Sequence, residues 1–353
     1  MISVLPESLK KLDASDMYGL IRGFPEQLED AIEMAKNIQP RHRYSGVTGI
    51  VLAGMGGSAI AGDMAATLVA RWLTVPWQVV RDYRMPPWVS ENTLGIFLSY
   101  SGRTEETLSC LKDALNRGAA VAGVTSGGDL QESVSEGGGD LMKIPSGYPP
   151  RAALGYLCIP VVYFLHRIGL VRESLDGQLR GAVSYLKTLR EQFSQAEQTN
   201  PAYSIARSIY TSIPVIYGGD GITAPAALRW RGQLGENGKI LAFHHLLPEM
   251  NHNEIVGYEN NPDLVGRLCV LWLMDRNDHS QIRKRQRLTR GIIGSRVEQQ
   301  IDIEAEGANS VERLFYLIHL GDWVSFWVAM HHGTDPTPVS KIDRLKLSLS
   351  RQN

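Results

Sequence analysis

A transition repeated along the chain constrains its fold more than any other feature: a short apolar run enters a glycine-rich turn, which opens an amphipathic stretch. Thr48–Gly54 leads into GMGGSAIAGD, Leu94–Tyr100 into SGRTEET, and Ala120–Thr125 into SGGD. Runs that are apolar at every position suit strands covered on both faces, as in parallel sheets. Asp63–Leu73 and Thr104–Arg117 carry apolar residues three and four apart, the spacing of an amphipathic helix. Strand and helix in alternation predict a doubly wound α/β sheet.

A second round follows Val171–Asn200, a polar and charge-rich segment that ends at Pro201. Ile213–Tyr217 enters GGDG, Arg267–Met274 enters DRND, and Val297–Ile303 supplies a further strand candidate. At 353 residues the chain is about twice the usual single-domain length, so two domains are expected, 1–195 and 196–353. They read as a weak internal duplication of one α/β unit. Leu154–Leu170, Leu314–His331 and Pro338–Ser350 read as helices.

Charge and cysteine usage narrow the function. Lys and Arg number 36 against 37 Asp and Glu, with no basic stripe, so nucleic acid is not an expected partner. Cys110, Cys158 and Cys269 have neither the count nor the spacing of a disulfide framework or a zinc knuckle, which points to a reducing compartment. The first twenty residues lack a signal-peptide pattern. The most apolar stretches are short or broken by His319, Gly321 and Asp322, so no membrane span is expected. The chain reads as cytoplasmic.

Two loops carry the chemistry. Gly54-Met55-Gly56-Gly57-Ser58-Ala59 fits the relaxed dinucleotide pattern G-x-G-x-x-A, with Asp82 at a suitable distance to hold a ribose. The same residues suit a phosphate cradle, where the amides of Gly56 and Gly57 and the Ser58 hydroxyl meet an oxyanion at a helix start. A plain strand-to-helix turn is the third possibility. The second loop favours phosphate: Ser99, Ser101 and Thr104 place three hydroxyls where the neighbouring strand gives way to its helix. Helix capping is the plain alternative for these hydroxyls, and the two roles are compatible.

GMGGSAIAGD, SYSGRTEETL, PPRAALGY, RWRGQLGENGK, PEMNHNEIVG and DPTPVSKIDRLK occur in this order over nearly the whole chain. Together they resemble the bifunctional phosphoglucose/phosphomannose isomerases of the sugar isomerase (SIS) superfamily. The resemblance implies two SIS domains, each a five-stranded, flavodoxin-like parallel sheet flanked by helices. It also implies a homodimer whose active sites lie at the subunit interface and whose substrate is a small sugar phosphate. Arg103 and Gly235 depart from the family's usual small polar residue and Asn.

Aldose–ketose isomerisation needs a base to move a proton between C1 and C2, a ring-opening acid/base pair and a cation for the enediolate. Glu236, flanked by Gly235 and Gly238, can act as a base and matches the family's enediol base. His252 lies in a run of amides and carboxylates and matches the ring-opening histidine, which the family takes from the partner subunit. Arg151, between Pro150 and an apolar helix, matches the enediolate stabiliser. The family also implies a lysine on the C-terminal helix. Lys341 and Lys346 stand on different helix faces, and Lys346 fits the Leu-Lys pattern better.

His244, His245, His252, Glu254 and the His331-His332 pair lack metal-ligand spacing, so neither a metal nor a cofactor is expected. A non-catalytic SIS protein that senses a sugar phosphate, with no need of Glu236, is the alternative function. A nicotinamide-dependent oxidoreductase is a third.

Overall fold

The computed structural model describes residues 7–42 and 44–350, so the outer ends of the two expected domains lie outside the described residues. The chain divides into two compact units. The first unit takes Gly23–Lys187 and Glu306–Tyr316; the second takes the chain up to Arg22, Thr188–Ala305 and the chain from Leu317 onward.

In the first unit, β1 (Gly49–Gly54), β2 (Trp77–Val80), β3 (Thr93–Leu98), β4 (Ala120–Thr125) and β5 (Asp140–Lys143) form one parallel sheet in the order β2-β1-β3-β4-β5. β1 and β3 are buried at every position, which explains their unbroken apolar sequence. Val51, Phe97, Leu111, Val121, Leu130 and Val134 form a core on one side of the sheet. Each such side chain contributes about 1.5–3 kcal/mol by leaving water. The helices Phe24–Lys36 and Leu154–Arg167 are tied by Tyr156, whose hydroxyl donates to Asp30 Oδ2 at 2.7 Å.

In the second unit, β6 (Ile213–Gly218), β7 (Phe243–Leu246), β8 (Leu268–Met274) and β9 (Gln299–Glu304) form a parallel sheet in the order β7-β6-β8-β9. The expected fifth strand is missing among the described residues. After β9 the chain runs through a short loop into the helix Ser310–His331. From Leu314 on, that segment is apolar around its whole circumference and forms a buried helix, leaving no alternating run for another strand. Val215, Tyr217, Met250, Val270 and Trp272 build one core. Trp323 meets Tyr18 edge-on at 5.1 Å in another, a geometry that adds about 0.5–1.5 kcal/mol beyond burial.

Cys110, Cys158 and Cys269 are free and buried. Burial pushes their thiols up to about 11, 12 and 12 respectively. No helix among the described residues is long and apolar enough to cross a membrane.

Candidate functional site

The strand order of the first unit reverses direction between β1 and β3, and an open α/β sheet presents its ligand crevice at such a switch point. Both glycine and hydroxyl loops leave the sheet there. Gly54, the last residue of β1, pairs in register with Leu98, the last of β3. The chain then needs just one extended residue, Met55, before the helix Gly56–Val69 begins. Gly56 and Gly57 are therefore helical, and not loop as their composition suggests. Gly56 takes φ +50°, and no atom lies within 4 Å of where a side chain would start. No side chain caps this helix, so the positive end of its dipole is left unanswered by a capping side chain.

After β3, Ser99 is fully buried and its hydroxyl pairs with Thr104 Oγ1 at 2.8 Å. Thr104 holds the N-cap position of the helix Glu105–Asn116 yet makes no capping bond. Its hydroxyl is turned to Ser99, whose Oγ also accepts from Thr104 N–H at 3.4 Å. Ser101 Oγ accepts from Arg103 N–H at 3.4 Å, and Arg103 itself is exposed. Gly102 makes the turn possible: φ is +69°, and an added Cβ would sit 1.7 Å from Gly127 O.

Arg151 stands in a 3-10 turn, Pro150–Ala152, ahead of the helix Leu154–Arg167, rather than in the helix itself. A Cβ on Gly57 would lie 3.2 Å from Pro150 O and 3.3 Å from Arg151 Cα, so this turn packs directly on the start of the glycine-loop helix. Two side chains hold it and the segment that leads to it. Gln27 donates to Ala152 O at 2.7 Å and accepts from Gly155 N–H at 2.8 Å. Tyr100, within the hydroxyl loop, donates to Pro145 O and accepts from Tyr148 N–H. Arg151 is 4 % exposed, and a guanidinium so far from water acts strongly on a nearby oxyanion. The first unit thus brings together Gly56, Gly57, Ser58, Ser99, Ser101, Thr104 and Arg151.

The second unit carries the remaining candidates on three separate elements. Glu236 is the last residue of the helix Thr223–Glu236 and is half-buried. That helix is registered by a buried polar ladder that sequence reasoning missed. Arg229 pairs with Asp322 through two bonds of 2.8 and 2.7 Å, Gln233 donates to Asp322 at 2.9 Å, and Asn237 donates to Ser325 at 3.1 Å. The i, i+4, i+8 spacing of 229, 233 and 237 marked one helix face, but the sequence could not name partners some ninety residues away. At Gly235 an added side chain would meet nothing within 4 Å.

His252 ends a 3-10 turn, Glu249–His252, and is exposed. Its neighbours are tied down. Asn251 donates to Thr289 Oγ1 at 2.7 Å, Asn253 donates to Glu249, and Glu254 accepts from His245 and Tyr217. The His252 imidazole makes no hydrogen bond among the described residues. Lys341 and Lys346 are exposed on the helix Ser340–Ser350, on either side of an exposed stripe of Ile342, Leu345 and Leu349. No hydrogen bond joins Glu236, His252 and these lysines to one another among the described residues. The drafted histidines form no three-residue metal cluster among the described residues. Thr107, in the first turn of the hydroxyl-loop helix, was also missed. Its buried hydroxyl has no hydrogen-bond partner among the described residues, and its spacing of three from Thr104 was the available signal.

Comparison with known proteins identifies the family. Residues 46–132 match the SIS domain, and residues 198–349 match the bacterial phospho-glucose isomerase C-terminal SIS domain. A bifunctional phosphoglucose/phosphomannose isomerase of Caldicellulosiruptor bescii is 39% identical over 95% of this chain and 99% of its own. One from Aquifex aeolicus is 36% identical over 95% and 99%. Among solved structures, the C-terminal domain of a glucosamine-fructose-6-phosphate aminotransferase from Francisella tularensis has a similar fold, with a TM-score of 0.71 at 17% identity, over 91% of this chain and 98% of that one. The site's ordered motifs and a full-length likeness at this level place the chain in the bifunctional phosphoglucose/phosphomannose isomerase family.

Proposed function

We propose that this protein interconverts glucose 6-phosphate, and mannose 6-phosphate, with fructose 6-phosphate through an enediolate. The observation that carries the proposal is the pair of uncapped helix starts at the switch point, lined by hydroxyls and packed against a buried arginine. A phosphate dianion fits this place because amides, hydroxyls and the helix dipole meet its oxygens from several sides. Gly56, Gly57, Ser58, Ser99, Ser101 and Thr104 hold it, and Thr107 offers one more hydroxyl. Arg151 stabilises the enediolate oxygen, Glu236 carries the proton between C1 and C2, and His252 with Lys346 opens the ring. Electrons stay within the sugar, so the mechanism assigns no metal and no cofactor.

The proposed assembly is a homodimer with its active sites at the subunit interface. Leu241 and Phe243 on or beside the edge strand β7, Val256 near His252, and Ile342, Leu345 and Leu349 are all exposed, a pattern that favours a covered surface. His252, whose side chain is exposed and makes no hydrogen bond among the described residues, suits a role in a partner's site. The domain division at 195/196 is supported by family matches that end at 132 and resume at 198. A reducing, cytoplasmic setting is in keeping with three unpaired thiols.

The test is a coupled assay with both aldose phosphates on wild type and Glu236→Gln. Glu236→Gln is expected to lose about 10²–10⁴-fold in kcat while still binding fructose 6-phosphate. Full activity in that variant would remove Glu236 from the mechanism. A wild type that binds fructose 6-phosphate but turns over neither sugar would be a sensor.

A further inference from the structure

The turn after the Glu236 helix holds a lysine where backbone geometry favours glycine. Past the helix end Ile240 N–H closes on Leu234 O, and a left-handed residue in such a helix-ending turn is usually glycine. Lys239 occupies that region with φ +58°. A lysine gains nothing from this backbone conformation, so the reason for it must lie in its side chain.

The side chain is fully engaged. The ammonium donates to three backbone carbonyls: Glu236 O at 2.5 Å, Pro336 O at 3.0 Å and Pro338 O at 2.5 Å. An ammonium has three donors, and all three are used. Two of the acceptors belong to proline residues, whose fixed φ leaves the strap 336–338 few conformations to lose on capture. The strap leads directly into the helix Ser340–Ser350, which is exposed from Lys341 through Leu349.

We propose that Lys239 is a positioning residue that ties the backbone of Glu236 to the proline strap and so sets the helix bearing Lys346 and Lys341 relative to the base. The kinetic part rests on the isomerase function proposed above; the clamp itself does not. Without the ammonium, the helix is joined to its unit by a strap whose carbonyls have lost their common donor. Small misplacements of reacting groups are costly in rate, and binding of the phosphate group, held elsewhere, is untouched.

Amide hydrogen exchange and steady-state kinetics on Lys239→Met, Lys239→Gly and Lys239→Arg test this. Lys239→Met is expected to speed exchange across residues 337–349 about tenfold or more while β6 and β8 keep their protection. Its kcat should fall about 10–100-fold with KM for fructose 6-phosphate within about twofold. Lys239→Gly relieves the backbone but removes the ammonium, so it should behave as Lys239→Met; Lys239→Arg should recover part of both losses. Unchanged exchange at 337–349 in Lys239→Met overturns the clamp, as does a wild-type Lys239→Gly. Faster exchange throughout the second unit overturns it in favour of a general folding role. If wild type turns over no sugar phosphate, the isomerase function fails, and the exchange experiment alone decides the clamp.

Discussion

In the first unit the helices after β1 and β3 start without a side-chain cap, and the loop hydroxyls answer only the amides of Arg103 and Thr104, at a long 3.4 Å; in the second unit the loops after β6 and β8, at the same place in the strand order, are closed more tightly by the protein's own side chains. Thr223 Oγ1 accepts from Gly219 N–H at 2.9 Å and returns a bond to Gly219 O. His279 accepts from Gln281 N–H and caps the helix Ser280–Ile293. Asp278 fills the space between the two loops: it accepts from Asp275 N–H at 3.1 Å, and its Oδ1 lies 3.2 Å from where a Cβ on Gly219 would stand. A carboxylate thus stands beside the glycine loop of the second unit, and the phosphate is proposed at the glycine loop of the first. The pattern of strand, glycine pair and helix is thus no sign of a phosphate site in itself. What decides is whether side chains have already answered the amides.

The largest expected effect separates the two loop pairs by ligand. Ser99→Ala with Thr104→Val should raise KM for fructose 6-phosphate about 10²-fold, since each charge-assisted hydrogen bond contributes about 1.5–3 kcal/mol. Thr223→Val in the second unit should leave KM within about twofold. Equal losses in both variants would break the comparison.

The second concerns Asp278, which burial pushes up to about 6 from an ordinary 3.8. The folded protein therefore holds a proton at a pH where the unfolded chain has lost it. Stability rises as pH falls from about 6 towards 4, and the full cost is present above 6. Asp278→Asn should stabilise the fold by at most about 2 kcal/mol at pH 7.5, after allowance for partial solvent screening, and by nothing near pH 4. Thermal melts at the two pH values measure it; equal gains at both would discard the titration.

The smallest effect contrasts two glycines with empty space around them. Gly56→Ala places a methyl on a left-handed residue at the proposed phosphate loop, so it should lose about 1 kcal/mol of stability and weaken substrate binding. Gly235→Ala, in an exposed helical turn, should gain about 0.5–1 kcal/mol with kinetics unchanged. A rate loss in Gly235→Ala would show that the departure from Asn at this position matters to catalysis.

The local half of the structure was legible in the sequence. β1, β3, β4, β6 and β8 stand where uninterrupted apolar runs announced them, because burial on both faces leaves no alternation to misread. The hydroxyl cluster was legible for the same reason, since all its members lie within six residues. Helix starts were less so. Gly56 and Gly57 read as loop, but a strand that turns into a helix across one residue makes its glycines the helix's first turn. The Arg229–Asp322 pair and the Pro336 and Pro338 carbonyls around Lys239 depend on partners set by tertiary packing, which no local pattern encodes.

The three cysteines have a practical consequence. A thiol attacks an alkylating reagent as thiolate, and here burial both disfavours deprotonation and restricts access, so labelling waits on local opening. Cys110 and Cys158 belong to the first unit and Cys269 to the second. The native chain therefore carries its own pair of stopwatches: the order in which these sulfurs are labelled tells which half of the molecule breathes first, without a single engineered probe.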